Sequence, residues 1–389
     1  MNITLTPSPM AGHITLPPSK SVAHRHFFLA ALSGKPAQFK IATLSDDLRA
    51  TLNAVRALGM EHHIEKGVLH LIPKNKRTKA IVDCIESAST LRMAMMILPT
   101  QIPEIRFTGK ASLFARPMDE GIRYLKSRGV EVRIEKDAII TRNTYTPKNA
   151  TMSGKITSQF ITGAMLAATT NEPITITVEE KTSAPYLHMT EEIIKEWGIQ
   201  IKGDTICPGE LLPPAPLITI EGDRSHAAYF HAANALGAKI IMENITGESL
   251  QGDDAFPELL RQMKEGKTVD LTSHPDLLMP LAVAATKTGG SMTGVERLRY
   301  KESDRIATTR DMLTALSIES SYEDRIFTVS PGQVKGGTVR TGGDHRIAFA
   351  AAILASVADG PVTVKESQCV EKSWPDFWNA IKTLRENNR

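Results

Sequence analysis

This chain of 389 residues contains only three cysteines, Cys84, Cys207 and Cys369, and they lie far apart in the sequence. They form no C-x-x-C pair, so neither a cysteine-based zinc site nor a disulfide framework is expected. Such sparse cysteines are typical of a protein in a reducing compartment. We interpret all three as small buried residues.

Long apolar runs are also missing. No stretch approaches the 18 uninterrupted apolar residues of a membrane span, and the first ten residues lack the basic start and apolar core of an export signal. We therefore expect a cytoplasmic protein that does not enter a membrane.

Aromatic residues make up 5% of the chain, and 46 basic against 43 acidic residues leave a formal net charge of only +3. A dedicated nucleic-acid binder would carry a basic field with aromatic stacking residues, so we expect no nucleic-acid partner. The sequence also lacks the glycine-rich phosphate loops of nucleotide-binding proteins, and His62–His63 has no suitably spaced partners for a metal. We expect neither a metal nor another cofactor.

What the sequence does contain is a pattern repeated six times: a short alternating strand, a polar loop, and a helix rich in Ala, Leu, Met and Phe. These helices begin near residues 21, 88, 157, 225, 276 and 344, at intervals of about 68 residues except for one of about 51. A second, more amphipathic helix, often ending in glycine, follows the first. Each unit is thus roughly β-α-β-α-β-β.

Six units in 389 residues predict an α/β protein of two domains with three units each. The helices rich in small residues are apolar nearly all round and are expected at the centre of each domain. Three prolines within residues 211–223 mark one crossing between the domains, and strand 2–6 is expected to complete the sheet of the other domain. We predict one discontinuous domain of residues 1–14 and 219–389, and a second of residues 15–218.

The chemistry is concentrated at the starts of the buried helices. Free backbone N–H groups and the positive end of the helix dipole favour anions there. A lysine or arginine beside an apolar helix is costly unless an anion accompanies it. Singly, each such residue is more often a cap or a surface group, so their shared position is the evidence. The candidates are Lys20, Ser21, Arg25, Ser89, Thr90, Arg92, Thr157, Ser158, Gln159, Asp276, Asp344, His345 and Arg346, with Arg116, Ser183, Tyr186 and Lys372 at other helix starts.

The segment RLRYKESDR, residues 297–305, is the most densely charged. We predict that a helix starts within it, with Lys301 and Arg305 on one face and with Glu302 and Asp304 in the first turn. That arrangement would make a site for an anion with an acid beside it.

Nine motifs occur in order along the chain: PPSKSVAHR, ESASTLR, ARPMD, ITSQF, SAPY, HPD, RYKESDR, GDHR and EKSWPDF. Together they resemble those of the 5-enolpyruvylshikimate-3-phosphate (EPSP) synthases, the 3-phosphoshikimate 1-carboxyvinyltransferases, over essentially the whole chain. The resemblance implies an inside-out α/β barrel in each of two domains, built from three β-α-β-α-β-β units around buried parallel helices. It also implies transfer of the enolpyruvyl group of phosphoenolpyruvate to the 5-hydroxyl of shikimate 3-phosphate, with release of phosphate, by an enzyme that needs no partner chain.

The resemblance further implies two sets of ligand contacts. Shikimate 3-phosphate would meet Lys20, Ser21, Arg25, Thr157, Ser158, Gln159, Ser183, Asp276 and Lys301. Phosphoenolpyruvate would meet Lys20, Ala88, Ser89, Arg92, Arg116, Gln159, Arg305, Arg346 and Lys372. Two phosphates and two carboxylates bring about five to six negative charges into one cleft, so the domains are expected to close as the ligands neutralise these cations.

For catalysis, the resemblance and the chemistry of the reaction assign Asp276 as the base at the 5-hydroxyl and Glu302 as the acid that protonates the methylene carbon. Lys20 would assist proton transfer. The assignment of roles between Asp276 and Glu302 is left open.

Three positions depart from the family pattern: Glu86 where Asn is frequent, Ala88 where Gly is usual, and Arg297 where Asn is common. Glyphosate inhibits this family at the phosphoenolpyruvate site, and the extra methyl group of Ala88 predicts weak binding of that inhibitor.

Two rival functions stay open. The sister family that uses UDP-N-acetylglucosamine carries a reactive cysteine at the position of Ala111, and no cysteine lies between residues 85 and 206. A non-catalytic sugar-phosphate-binding protein is the other alternative.

Overall fold

The computed structural model describes residues 1–41, 43–75, 77–170, 172–245 and 247–386. Its strands are β1 Asn2–Leu5, β2 Ala11–Ile14, β3 Ala37–Lys40, β4 Met60–Glu65, β5 Val68–Pro73, β6 Lys79–Asp83, β7 Glu104–Thr108, β8 Glu131–Ile134, β9 Ala138–Arg142, β10 Ala150–Ser153, β11 Ile174–Glu179, β12 Ile201–Lys202, β13 Thr205–Ile206, β14 Ile218–Thr219, β15 Lys239–Met242, β16 Val269–Asp270, β17 Gly290–Thr293, β18 Ser320–Glu323, β19 Ile326–Val329, β20 Gly337–Arg340 and β21 Val362–Lys365.

The α-helices are α1 Lys20–Ser33, α2 Asp46–Ala57, α3 Ala88–Ile97, α4 Ala111–Phe114, α5 Asp119–Ser127, α6 Gln159–Ala167, α7 Ala184–Glu196, α8 Arg224–Leu236, α9 Phe256–Lys264, α10 Leu278–Thr288, α11 Arg305–Ala315, α12 His345–Leu354 and α13 Phe377–Glu386. Short 3-10 helices at Leu98–Thr100, Ala168–Thr170, Gly252–Ala255, Pro275–Leu277, Glu296–Tyr300 and Ser367–Lys372 complete the helical structure. None of the helices that the structure describes is long and apolar enough to cross a membrane.

The chain forms two compact units, and we call Met1–Pro17 with Gly222–Arg389 unit 1 and Pro18–Glu221 unit 2. Both crossings fall three residues after the positions expected from the sequence. Strand β1 pairs antiparallel with β21, from Asn2 opposite Lys365 to Leu5 opposite Val362, so the first strand completes a sheet of unit 1 as predicted.

The repeat is visible in the sheets. In unit 2, the strand orders β14-β3-β5-β4, β6-β7-β9-β8 and β10-β11-β13-β12 share one topology, in which a parallel pair is extended by two antiparallel strands. In unit 1, β16-β17-β19-β18 repeats it, while β1-β21-β20 and β15-β2 are shorter versions. Parallel neighbouring strands require a crossover connection. Here a buried helix provides it: α3 connects β6 to β7, and α6 connects β10 to β11.

Six apolar helices form the centres of the two units: α1, α3 and α6 in unit 2, and α8, α10 and α12 in unit 1. Their observed starts lie within two residues of the six predicted ones, and every residue of α12 is buried. Small residues allow close packing. A Cβ added to Gly163 of α6 would lie 2.8 Å from the Cα of Met93 in α3, so glycine is required where these helices cross.

The cysteines differ from expectation. Cys84 is buried, but Cys207 and Cys369 are only half-buried. The prediction that all three are buried is therefore wrong for two of them.

Candidate functional site

In unit 1, one buried arginine holds three carboxylates. The Arg305 guanidinium donates from Nη1 to Asp276 Oδ1 at 2.6 Å, from Nη2 to Glu302 Oε2 at 2.7 Å, and from Nε to Asp344 Oδ2 at 2.8 Å. The Arg305 side chain is 2% exposed and that of Asp344 is fully buried. We call Arg305 with these three acids and the cations that contact them the Asp276 cluster.

Further cations surround the same acids. Arg346 Nη2 donates to Asp276 Oδ2 at 2.9 Å, and Lys301 Nζ lies 3.7 Å from Asp276 Oδ1. Lys372 Nζ lies 3.9 Å from Glu302 Oε1. The structure thus brings together seven candidate residues from four separate motifs, and Asp344 is the most deeply buried of the acids.

Local sequence explains how these groups are presented. Asp276 lies in the 3-10 turn before α10, while Asp344 caps α12 by accepting the N–H of Arg346 at 3.0 Å. Asp304 caps α11 by accepting the N–H groups of Ile306 and Ala307.

The prediction of a helix that includes Lys301, Glu302 and Asp304 is wrong, because an N-cap residue has non-helical backbone angles and the helix begins only at Arg305. Lys301 and Arg305 nevertheless converge, because both reach Asp276.

The electrostatics of the Asp276 cluster are dominated by its cations. Burial alone would raise the pKa of Asp276, but Arg346, Lys301 and Arg305 outweigh it and hold that pKa well below its ordinary value. The neighbouring carboxylates in turn hold the pKa of Arg305 well above its ordinary value. Asp276 is therefore ionised over the working pH range and strongly held.

In unit 2, Arg25 of α1 is equally buried but has different partners. Its Nε donates to Thr190 Oγ1 at 2.9 Å, and its Nη2 donates to the Tyr186 carbonyl at 2.9 Å. The remaining bonds go to the Ser21 carbonyl and the Thr162 hydroxyl.

Among the described residues, none of the hydrogen bonds of Arg25 goes to a carboxylate. Burial lowers the pKa of Arg25 to about 10, which leaves it charged at neutral pH. A buried cation held only by neutral oxygens is suited to receive an anion.

A second chain of contacts joins the starts of α3 and α6. Gln159 Nε2 donates to Ser89 Oγ at 2.7 Å, and Gln159 Oε1 accepts from Arg92 Nη1 at 2.9 Å. Arg92 also donates to the Pro117 carbonyl at 2.9 Å, which ties the ARPMD motif to this group. Three sequence motifs therefore meet in unit 2, and the buried Ala88 is the first residue of α3 beside Ser89.

The remaining candidates of unit 2 occupy the expected helix starts. Lys20 Nζ pairs with Asp47 Oδ2 at 2.8 Å, and Thr157 Oγ1 accepts the N–H of Gln159 at 3.2 Å. Ser183 precedes α7 with a left-handed φ of 65°, a conformation that non-glycine residues adopt rarely and often at functional sites. Ser158, directly before α6, and Arg116, three residues before α5, are both buried.

Sequence reasoning missed several participants. Asp47 and Thr190 lie outside the nine motifs, and no local pattern links them to Lys20 or Arg25. It also missed a buried group of polar side chains at Ser373, the residue after Lys372. Asp223 Oδ1 lies 3.1 Å from His226 Nδ1, and His226 Nε2 lies 3.1 Å from Ser373 Oγ.

Two departures from the family pattern have partners in their own units. Glu86 accepts from Lys110 and Ser112, each at 2.9 Å. Arg297 donates to the Thr272 carbonyl.

The statement that His62–His63 lacks metal-binding partners is wrong for His63. Its side chain lies beside those of Glu65 and His70, with ligand atoms within 4.8 Å of one another. The two additional side chains are close because β4 and β5 form a hairpin, which the sequence spacing alone did not reveal.

Two units of repeated β-α-β-α-β-β topology, each with charged groups at the starts of buried helices, define the enolpyruvyl transferase fold. Two solved structures of EPSP synthase from Acinetobacter baumannii are similar to this chain, each with a TM-score of 0.78, 22% identity, and coverage of 99% of this chain and 98% of that chain. The family model for EPSP synthase (3-phosphoshikimate 1-carboxyvinyltransferase) matches residues 5–381, and the chain belongs to this family.

Curated relatives agree with the family. The 3-phosphoshikimate 1-carboxyvinyltransferase of Clostridium botulinum is 31% identical, with coverage of 98% of this chain and 96% of the relative. That of Clostridium novyi is 30% identical, with coverage of 98% and 97%.

Proposed function

We propose that this chain transfers the enolpyruvyl group of phosphoenolpyruvate to the 5-hydroxyl of shikimate 3-phosphate, in the shikimate pathway. The hydroxyl oxygen forms a bond to C2 of phosphoenolpyruvate while the methylene carbon takes a proton. The resulting tetrahedral intermediate then loses inorganic phosphate and a proton from the methyl group, which restores the double bond. Membership of the family over residues 5–381 is the single observation that carries this proposal.

The two ligand sets are those that the family resemblance implies. Arg25, with its neutral partners Thr190 and Tyr186, supplies a buried positive charge for an anionic group of shikimate 3-phosphate. Lys20, Ser21, Thr157, Ser158, Gln159, Ser183, Asp276 and Lys301 complete that set. Phosphoenolpyruvate is assigned to Lys20, Ala88, Ser89, Arg92, Arg116, Gln159, Arg305, Arg346 and Lys372, because its phosphate and carboxylate need several cations.

Asp276 serves as the base and Glu302 as the acid, with Lys20 assisting. The strong hold of Arg305 and Arg346 on Asp276 makes it a weak base in the free protein, since basicity falls as the pKa falls. An incoming phosphate competes for the same guanidinium groups. Substrate binding thereby raises the basicity of Asp276 at the moment when it is needed, and Arg305 and Arg346 remain to stabilise the departing phosphate.

Several properties stay predictions of this proposal. We expect a monomeric cytoplasmic enzyme that binds glyphosate weakly because of Ala88, and whose units close when both substrates bind. Small-angle scattering should show a smaller radius of gyration with both ligands than without them, and identical radii would contradict closure.

The decisive experiment measures phosphate release from phosphoenolpyruvate with shikimate 3-phosphate and, separately, with UDP-N-acetylglucosamine. We expect turnover with the first acceptor alone. Turnover with the second acceptor would assign the sister activity, and binding of shikimate 3-phosphate without phosphate release would indicate a non-catalytic protein.

A further inference from the structure

A group of possible metal ligands lies on the β4–β5 hairpin of unit 2, away in sequence from every assigned site residue. His63 of β4 is directly opposite His70 of β5, and Glu65 follows His63 by two residues on the same strand. The ligand atoms of the three side chains all lie within 4.8 Å of one another.

The hairpin fixes this register. Lys66 and Gly67 form a two-residue turn with φ of 49° and 77°, the positive values of a type I′ turn, whose twist matches that of the flanking strands. Directly opposite residues share a face of the sheet, as do residues two apart. His63, Glu65 and His70 therefore project from one face, and their spacing is set by backbone hydrogen bonds.

That face is the solvent side of the sheet. Leu69 and Leu71, which flank His70, are buried on the other side, whereas His63 and Glu65 are exposed and His70 is half-buried. The His63 and His70 rings are stacked with centroids 4.7 Å apart and planes 1° from parallel. An ion can reach these side chains from water without any movement of the backbone.

The donor set selects the kind of ion. Two imidazole nitrogens and one carboxylate oxygen suit Zn²⁺ and related transition-metal ions, whereas Mg²⁺ and Ca²⁺ prefer oxygen ligands. Tetrahedral zinc with bonds of about 2.0–2.1 Å requires ligand atoms about 3.3 Å apart. In the structure the ligand atoms lie within 4.8 Å of one another, so rotation of these side chains has to bring them closer together around the ion.

We propose that His63, Glu65 and His70 form a surface site for a divalent transition-metal ion such as Zn²⁺, with water in the fourth position. The ion clips β4 to β5 and stabilises unit 2. This site does not depend on the proposed transferase activity, because none of its three residues belongs to either substrate set.

Isothermal titration with Zn²⁺ in chelator-free buffer tests the site on the full chain. Wild type should bind one Zn²⁺ ion. The variants His63→Ala, Glu65→Gln and His70→Ala should each bind it at least ~10-fold more weakly, equivalent to about 1.4 kcal/mol. His62→Ala is the matched control. It removes the neighbouring imidazole, which lies opposite Leu71 on the other face, and should bind as wild type does.

Thermal unfolding gives a second measurement. Zn²⁺ should raise the Tm of wild type and of His62→Ala but not that of His70→Ala, because a ligand that binds only the folded state stabilises it. Mg²⁺ at the same concentration should have no such effect. Equal Zn²⁺ affinity in wild type, His62→Ala and His70→Ala, or no saturable binding below ~1 mM, would overturn the proposal.

Discussion

Arg305 in unit 1 and Arg25 in unit 2 are both 2% exposed, yet the hydrogen-bond partners of Arg305 are anionic and those of Arg25 are neutral. Arg305 contacts three carboxylates, whereas the hydrogen bonds of Arg25 go to two hydroxyls and two carbonyls. The buried charge of Arg305 therefore has its counter-charges within unit 1. In unit 2, the charge of Arg25 is held by hydrogen bonds to neutral oxygens, an arrangement suited to receive an anion. Equal burial of the same residue type is thus achieved with two different kinds of partner.

The largest expected effect comes from removing these two arginines in parallel. Arg305→Gln should lower the free energy of unfolding by about 3–5 kcal/mol, because it leaves several buried carboxylates without their central cation. Arg25→Gln should cost less than about 1.5 kcal/mol, since the lost hydrogen bonds are partly offset by the removal of a buried charge. Urea unfolding of both variants checks this, and equal losses would break the comparison.

The second prediction concerns catalysis by the acids of unit 1. Glu302→Gln and Asp276→Asn should each lower turnover by at least ~10²-fold while leaving shikimate 3-phosphate binding largely intact. Phosphate release and equilibrium binding measure the two quantities. Glu296→Gln, a change at a more exposed carboxylate just before Glu302, is the matched control and should turn over normally. Near-normal turnover in both Glu302→Gln and Asp276→Asn would refute the assignment.

A third prediction concerns the response of a buried histidine of unit 2 to acid. Burial, reinforced by Arg25, lowers the pKa of His26 in unit 2 from 6.5 to about 4, and Trp197 Nε1 donates to its Nδ1 at 2.9 Å. The Glu196 carboxylate, 3.9 Å away and half-exposed, does not outweigh burial. The unfolded chain therefore takes up a proton first, so this stability is present above pH 6.5 and is lost as the pH falls through 4.

The loss due to His26 should reach about 3 kcal/mol at pH 4, so urea unfolding across this pH range should show a loss in His26→Gln that is smaller by that amount. Asp276 contributes little slope above about pH 5, because its folded pKa lies below its ordinary 3.8 and its own stabilisation begins to be lost only as the pH approaches 3.8. The exposed His188→Gln is the control and should retain the wild-type slope. A similar slope in His26→Gln would assign the acid sensitivity to other groups.

The sequence predicted periodic features well and long-range contacts poorly. The six buried helices and the pairing of β1 with β21 followed from spacing and apolar pattern, because burial imposes a regular period. The helix start at Arg305 was misplaced by a few residues, since Glu302 and Asp304 both suit a first turn and only the capping bonds of Asp304 distinguish them. The partners Asp47 for Lys20 and Thr190 for Arg25 are set by helix packing, which leaves no mark in local spacing.

The smallest effect is expected at Ala88, which lies at the first residue of α3 beside the Ser89–Gln159 contact. Glyphosate is longer than phosphoenolpyruvate, so the added methyl group should crowd the inhibitor more than the substrate. Overpacking costs about 1–3 kcal/mol, which corresponds to roughly 5- to 150-fold weaker inhibition. Ala88→Gly should therefore strengthen glyphosate inhibition by that factor with little change in turnover.

The alternative is that alanine serves only as a better helix former than glycine, worth about 1 kcal/mol in a helix interior. Ala88 follows the N-cap Ser87 directly, where that advantage is reduced because the first turn lacks its full set of hydrogen bonds. Inhibition constants and Tm values of the two proteins decide between these explanations: equal inhibition constants with a lower Tm in Ala88→Gly would leave Ala88 a helix residue alone.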